Sequence, residues 1–193
     1  NLTRVGVVSF AIDHVPVNIS LILEALREIQ RQSTGDVTIA FSPAQNLTGE
    51  ARELIGSRPA YNTTIRSMRD GKAVNIISLG GGTATLSIPY TPGRNEAIGF
   101  LFGVYAEENG KAARIAGSAY DGDAGAVLIP TGHFSAYGIG YTAPIAKFTD
   151  IDNHWGSESI DFAVGRGLLS GTSDTTFSPN AVMTRSMLVT ALG

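Results

Sequence analysis

Apolar and polar positions divide the chain into zones of different period. In Thr3 to Phe10 (T-R-V-G-V-V-S-F), Val5 and Val7 fall on one side of an extended segment, which predicts a strand. From Pro16 to about Gln32 the spacing becomes helical. Ile22, Ala25, Leu26 and Ile29 form the apolar stripe, and Glu24, Arg27 and Glu28 are left to solvent. Gly35 fits a left-handed stop just past this helix. Val37, Ile39 and Phe41 then alternate with Thr38 and Ala40 as a second strand. A short helix is predicted over Gly49–Ile55, with Thr48 as its cap and Gly56 as its end. Tyr61, Thr63 and Ile65 give another alternating strand before the polar turn Arg69-Asp70-Gly71-Lys72.

From Val74 the helical period vanishes. Ala84, Leu86, Ile88 and Tyr90 alternate, as do Ile98, Phe100, Phe102 and Val104. Ala113-Arg114-Ile115 and Ala126-Val127-Leu128-Ile129 flank Tyr120-Asp121-Gly122-Asp123, a hairpin-turn signal, and Tyr137, Ile139 and Tyr141 make a last strand. Short strands with Gly-rich turns predict an antiparallel sandwich or barrel. Thr142 to Lys147 reads as a linker. Beyond it Ile160, Ala163, Val164 and Gly167 return to helical spacing, and so do Met187, Leu188, Ala191 and Leu192. The Gly-, Ser-, Thr- and Asp-rich stretch between them makes this a helix–loop–helix, with Thr184 at the second N-cap. The expected fold class is α+β: a β-rich, sandwich-like domain over residues 1–141 with two helices near its start, a linker over 142–147, and a helix–loop–helix over 148–193.

Composition narrows the chemistry. With 43% hydrophobic residues the chain has material for a core, and a net charge of −3 offers no general attraction to nucleic acid or an anionic membrane. No apolar run approaches the roughly 20 residues of a membrane-spanning helix, so membrane insertion is not expected. Zero cysteines exclude disulfides, thiolate catalysis and Cys–zinc sites. No cofactor is called for. Gly80-Gly81-Gly82 lacks the Lys-Ser/Thr of a phosphate loop and suggests a strand kink. His14, His133 and His154 lack zinc-ligand spacing, and neither Asp121-Gly122-Asp123 nor Asp150-x-Asp152-Asn153 reaches an EF-hand Glu.

The C-terminal residues carry a family resemblance. Phe148-x-Asp150, His154-Trp155, Ile160, Gly167-x-x-x-Gly171, Phe177-x-Pro179 and Thr184-Arg185 stand in an order that resembles the S-layer homology (SLH) module of bacterial exoproteins. It departs at Thr184-Arg185-Ser186-Met187, where the family usually writes T-R-A-E. Met187 cannot close the reciprocal capping box that a Glu would. The resemblance implies attachment to a secondary cell-wall polymer, a peptidoglycan-linked glycan often bearing anionic ketal-pyruvate groups, at the surface of a Gram-positive bacterium. Asp150, Trp155 and Arg185 are the ligand-contact candidates it implies. An Arg fork suits a carboxylate, a Trp face suits a sugar ring, and an Asp accepts from hydroxyls. Structural roles compete: Trp155 in a helix–helix core, Asp150 or Asp152 as a helix cap, Arg185 as a solvated first-turn residue. Since the resemblance implies three modules per anchor, the chain is expected to be a fragment, with further SLH modules of the full-length protein as partners.

Residues 1–141 look like the β-rich region that often precedes SLH modules in wall-attached proteins. Ile55-Gly56-Ser57-Arg58-Pro59-Ala60-Tyr61, Ser87-Ile88-Pro89-Tyr90 and Thr131-Gly132-His133-Phe134-Ser135-x-Tyr137 carry that likeness, which implies a non-catalytic stalk or adaptor. Two other readings stand beside it. His133-Phe134-Ser135 is similar to the cleavage site of self-cleaving β-domains, with Ser135 as nucleophile and His133 as base for the Phe134–Ser135 bond. Alternatively, Tyr90, Tyr105, Tyr120, Tyr137 and Tyr141 could form the aromatic row of a carbohydrate-binding accessory to a glycosidase.

Overall fold

The computed structural model describes residues 6–11, 16–69, 71–107, 109–142, 148–165 and 168–192. Two compact units emerge: one of residues 1–93 and 101–141, the other of residues 94–100 and 142–193. The second therefore draws on a short segment between two strands of the first. Thr142 apart, the expected linker lies outside the described residues.

The first unit is built from two antiparallel sheets. One has the order β1 (Val7–Ala11), β2 (Asn18–Ile22), β6 (Ala84–Pro89), β10 (Ala126–Thr131) and β9 (Ala119–Asp121). The other runs β3 (Val37–Pro43), β4 (Ala60–Arg69), β11 (Ala136–Tyr141), β7 (Leu101–Ala106) and β8 (Ala112–Arg114), with β5 (Lys72–Ile76) also paired to β4. Alternation assigns the faces. Ile19 and Leu21, Ala84, Leu86 and Ile88, and Val127 and Ile129 point inward from the first sheet. They meet Ile65, Leu101, Tyr137 and Ile139 from the second in one continuous core. Gly103 lets the sheets approach, because a Cβ there would stand 2.8 Å from the Ile129 side chain.

Helix α1 (Leu23–Gln32) buries Ala25 and Ile29 in the same core. Helix α2 (Gly49–Ile55) packs Ile55 with Phe102 and Val104 in a second, smaller cluster. β7 is thus covered on both faces.

Several expectations change. The segment expected as helix from Pro16 begins as strand: Ile19 and Leu21 alternate inward while Asn18–Leu21 pairs with β6, so the helix starts only at Leu23. Tertiary pairing outweighs local spacing there. Gly35 is not left-handed, since α1 ends at Ser33, whose hydroxyl donates to the Ile29 carbonyl at 2.8 Å. Thr48 holds the N-cap position of α2 but makes no side-chain cap, whereas Gly56 closes that helix at φ 60° as expected. Ile98–Phe100 is a short 3-10 helix, so the strand expected from Ile98 starts at Leu101. Asp121 secures the predicted hairpin turn, its Oδ1 accepting from the N–H groups of Asp123 and Ala124, both at 2.9 Å.

Gly80–Gly82 is a turn and not a strand kink. Gly80 has φ 62°, the Gly82 N–H donates to the Leu79 carbonyl, and Gly82 lies against the backbone of α1 at Glu24 and Ala25. A methyl group at Gly82 has no room beside that backbone. Gly82→Ala is therefore expected to lower unfolding stability by about 1–3 kcal/mol in urea titrations, as overpacking does. Gly122→Ala, where a Cβ meets nothing within 4 Å, is expected to leave it nearly unchanged.

Candidate functional site

In the second unit Phe148, Ile151 and Ile160 are buried together, with Val164 and Phe177 packed against them. The Phe148 and Phe177 rings lie 5.6 Å apart. Gly171 is required by this core, since a Cβ there would run into the Phe148 ring. Its motif partner Gly167 lies outside the described residues.

Asp150 ties the two ends of the module together. Its Oδ1 accepts from the Phe177 N–H at 2.9 Å and its Oδ2 from the Ser178 N–H at 2.7 Å. These bonds favour the carboxylate, Phe177's first, and the nearby His154 adds to them, so the Asp150 pKa lies below its ordinary value. The loop between is stitched by its own hydroxyls: Thr172 Oγ1 donates to the Thr176 carbonyl, and Ser173 Oγ to Thr176 Oγ1. Ser178 sits at φ 61°, a conformation that this bracing holds.

Helix α3 (Ser157–Gly165) is entered through His154. The His154 Nδ1 accepts from the Gly156 N–H at 3.1 Å, so the imidazole, and neither Asp150 nor Asp152, secures this turn. Trp155 follows with 93% of its surface exposed, its ring 5.4 Å from that of His154. A place in the helix–helix core is thereby ruled out for it.

Helix α4 (Arg185–Leu192) starts as expected: Thr184 Oγ1 accepts from the Met187 N–H at 3.2 Å, with no return bond from the Met side chain. Arg185 opens the helix, exposed and without an ion pair among the described residues. Met187, Leu188 and Val189 are also exposed, at 46%, 49% and 68%, so the expected apolar stripe joins no core among the described residues. The side chains of Ala191 and Leu192 lie outside the described ones.

The three sequence-nominated contacts thus differ in kind. Asp150 is engaged by backbone amides, whereas Trp155 and Arg185 present open side chains. No hydrogen bond or ion pair joins the three. Sequence reading missed His154 as the support beside Trp155; the adjacent His-Trp pair was its only signal.

The second unit also holds a cleft of about 550 Å³, lined by Ala97–Phe100 of the inserted segment and by Glu158, Ser159, Asp161 and Phe162 of α3. Burial raises the Asp161 pKa there.

The other nominated residues lie in the first unit. His133 forms an isolated bridge with Ser78. Its Nδ1 lies 3.4 Å from Thr131 Oγ1, and its carbonyl accepts from Tyr137 Oη at 2.8 Å. Burial pushes the Tyr137 hydroxyl up to about 12. The Ser135 carbonyl accepts from the Thr63 N–H at 2.8 Å, and no hydrogen bond joins the Ser135 hydroxyl to His133. Phe134 packs inward. Tyr137 is buried, and Tyr90, Tyr105, Tyr120 and Tyr141 pack partly buried against the first core, so they form no exposed aromatic row. Among the described residues no cluster of three or more His, Asp or Glu is placed to hold a metal ion, and no helix is long and apolar enough to cross a membrane.

The family model for the S-layer homology domain matches residues 147–186. No curated protein and no solved structure matches the chain. The matched span covers both ends of the Asp150 bracing, Trp155 and Arg185. It makes this part of the chain a non-catalytic anchoring module of a cell-surface or wall-associated protein.

Because the Asp150 pKa is depressed, its stabilising contribution is present above the ordinary Asp range and is lost as pH falls through the lower, folded-state value. The Phe177 and Ser178 amide resonances should titrate together below about pH 4, the ordinary Asp region. Asp150→Asn should abolish that titration and lower the melting temperature of the module at neutral pH. Amide NMR across an acid series checks both.

Proposed function

We propose that the chain forms the wall-proximal portion of a secreted bacterial surface protein. In this reading the β-rich unit is a spacer, and the SLH module contributes one part of a grip on an anionic secondary cell-wall polymer. The exposed Trp155 carries the proposal. An indole left almost wholly in water forgoes the stabilisation that burial would bring to the fold, so its position suits a partner more than a core. Trp155 would stack on a sugar ring, and the uncommitted Arg185 guanidinium would take a ketal-pyruvate carboxylate through two parallel bonds. Asp150 would act by holding the 177–178 loop in shape, its own oxygens already accepting backbone bonds.

The open apolar residues of α4 support the companion proposal of further modules in the full-length protein. Met187, Leu188 and Val189, open on one short helix, would gain stability from a surface that covered them. Linked modules raise one another's effective concentration, so a single module should bind weakly and a tandem array far more tightly.

Sedimentation with purified cell walls tests the reading. The chain should co-sediment with walls that keep their secondary polymer and remain soluble with extracted walls. Trp155→Ala and Arg185→Ala should each weaken binding about tenfold, a range common for central aromatic and Arg contacts. Equal binding to extracted walls, or no response to either substitution, would sink the assignment.

A further inference from the structure

The first unit contains a cavity of about 720 Å³ that none of the functions above uses. It lies where the second sheet forks. On one side of β4, Ala60–Asn62 pairs with β11 and Ile65–Arg69 pairs with β5, so the two partner strands diverge around Thr63 and Thr64. The Thr63 N–H donates to the Ser135 carbonyl across the gap, and the Phe134 N–H donates to the Ile77 carbonyl just past β5. Thr63 is buried, and its Oγ1 has no hydrogen-bond partner among the described residues, an unusual state for a hydroxyl.

The walls combine amides and hydroxyls with small and aliphatic side chains. Gln45, Asn46 and Asn62 bring side-chain amides to the cavity that make no hydrogen bond to the protein among the described residues. Hydroxyls of Ser42 and Ser135 join them. The apolar contribution includes Ile77, 65% exposed at the rim. The described lining residues contain no Lys or Arg, and the one carboxylate, Glu107, disfavours an anionic guest. Planar amides offer a donor and an acceptor together, the complement of neighbouring hydroxyls on a sugar, while an exposed aliphatic side chain can meet the C–H face of the ring. The volume lies in the ligand-site range of roughly 300–1,000 Å³ and admits about two or three sugar rings.

We infer that this fork is a binding site for a neutral oligosaccharide, separate from the anionic-polymer contacts proposed for the SLH module. It uses amide pairing, and Phe134, the aromatic among the described lining residues, is buried and offers no open ring face, so affinity should be modest.

Calorimetry and saturation-transfer NMR on the full chain test it, with cellotriose, maltotriose and N-acetylated chitotriose as neutral probes and trigalacturonate as the anionic one. At least one neutral trisaccharide should bind saturably, with Kd of about 1 mM or tighter. Gln45→Ala and Asn62→Ala should each weaken it about fivefold, as loss of an uncompensated hydrogen bond does, and the double variant should abolish it. Both residues are exposed, and unchanged amide spectra elsewhere would verify folding. Trp155→Ala and Arg185→Ala should leave this binding intact, so its outcome is separate from that of wall anchoring. Absence of saturable binding by every neutral probe, stronger binding of trigalacturonate, or full binding by the double variant would overturn the site.

Discussion

The first unit depends on a single constraint, the shared apolar layer between its two sheets. Residues from β2, β6 and β10 meet residues from β4, β7 and β11 across that layer, and a one-residue slip in any strand would turn its buried set to solvent. Strand register is therefore fixed by hydrophobic burial, and solvent-facing chemistry follows from it. Asn62 and Thr64 face outward because Tyr61, Thr63 and Ile65 face the core. The fork in the second sheet has the same origin, since β4 is longer than either partner on that side and needs both β11 and β5 to pair along its length.

The SLH module uses a different economy. Its core of Phe148, Ile151 and Ile160 is small, and a small core supplies little stability alone. Polar bracing makes up part of the difference. One carboxylate fixes two amides far along the chain, a histidine ring fixes the entry to α3, and hydroxyls stitch the loop between them. A module organised in this way keeps its aromatic and cationic side chains free, because neither Trp155 nor Arg185 is needed to hold it together.

Much of this was legible in the sequence where period and burial coincide. Ala84, Leu86 and Ile88, or Tyr137 and Ile139, alternate in sequence and alternate in the sheets. The Asp121 turn, the Gly56 stop and the Thr184 cap were legible for local reasons: each depends on the residue's own backbone or on donors within three positions. Failures occurred where a distant partner decides. Asn18–Ile22 looks helical until β6 is placed beside it, and the Gly80–Gly82 turn makes sense only against the backbone of α1. The module was recognisable from its ordered motif residues, yet the roles of those residues were not. Asp150 could be nominated as a contact, but its two amide partners lie 27 and 28 residues away and no spacing rule points to them.

Placing the two surfaces side by side separates what each can discriminate. In the reading proposed above, Trp155 offers an aromatic face and Arg185 a positive charge, and a contact that rests on charge weakens as salt rises. At the β4 fork amides and hydroxyls stand beside the single carboxylate of Glu107, so selectivity in the inferred site would come chiefly from the pattern of donors and acceptors. Helix α4 adds exposed apolar residues, a non-directional surface that another module would cover in the proposed reading. The three proposed contacts therefore differ in physical response: one resting on charge falls with salt, one resting on amide pairing hardly does, and one resting on apolar cover scales with the area buried.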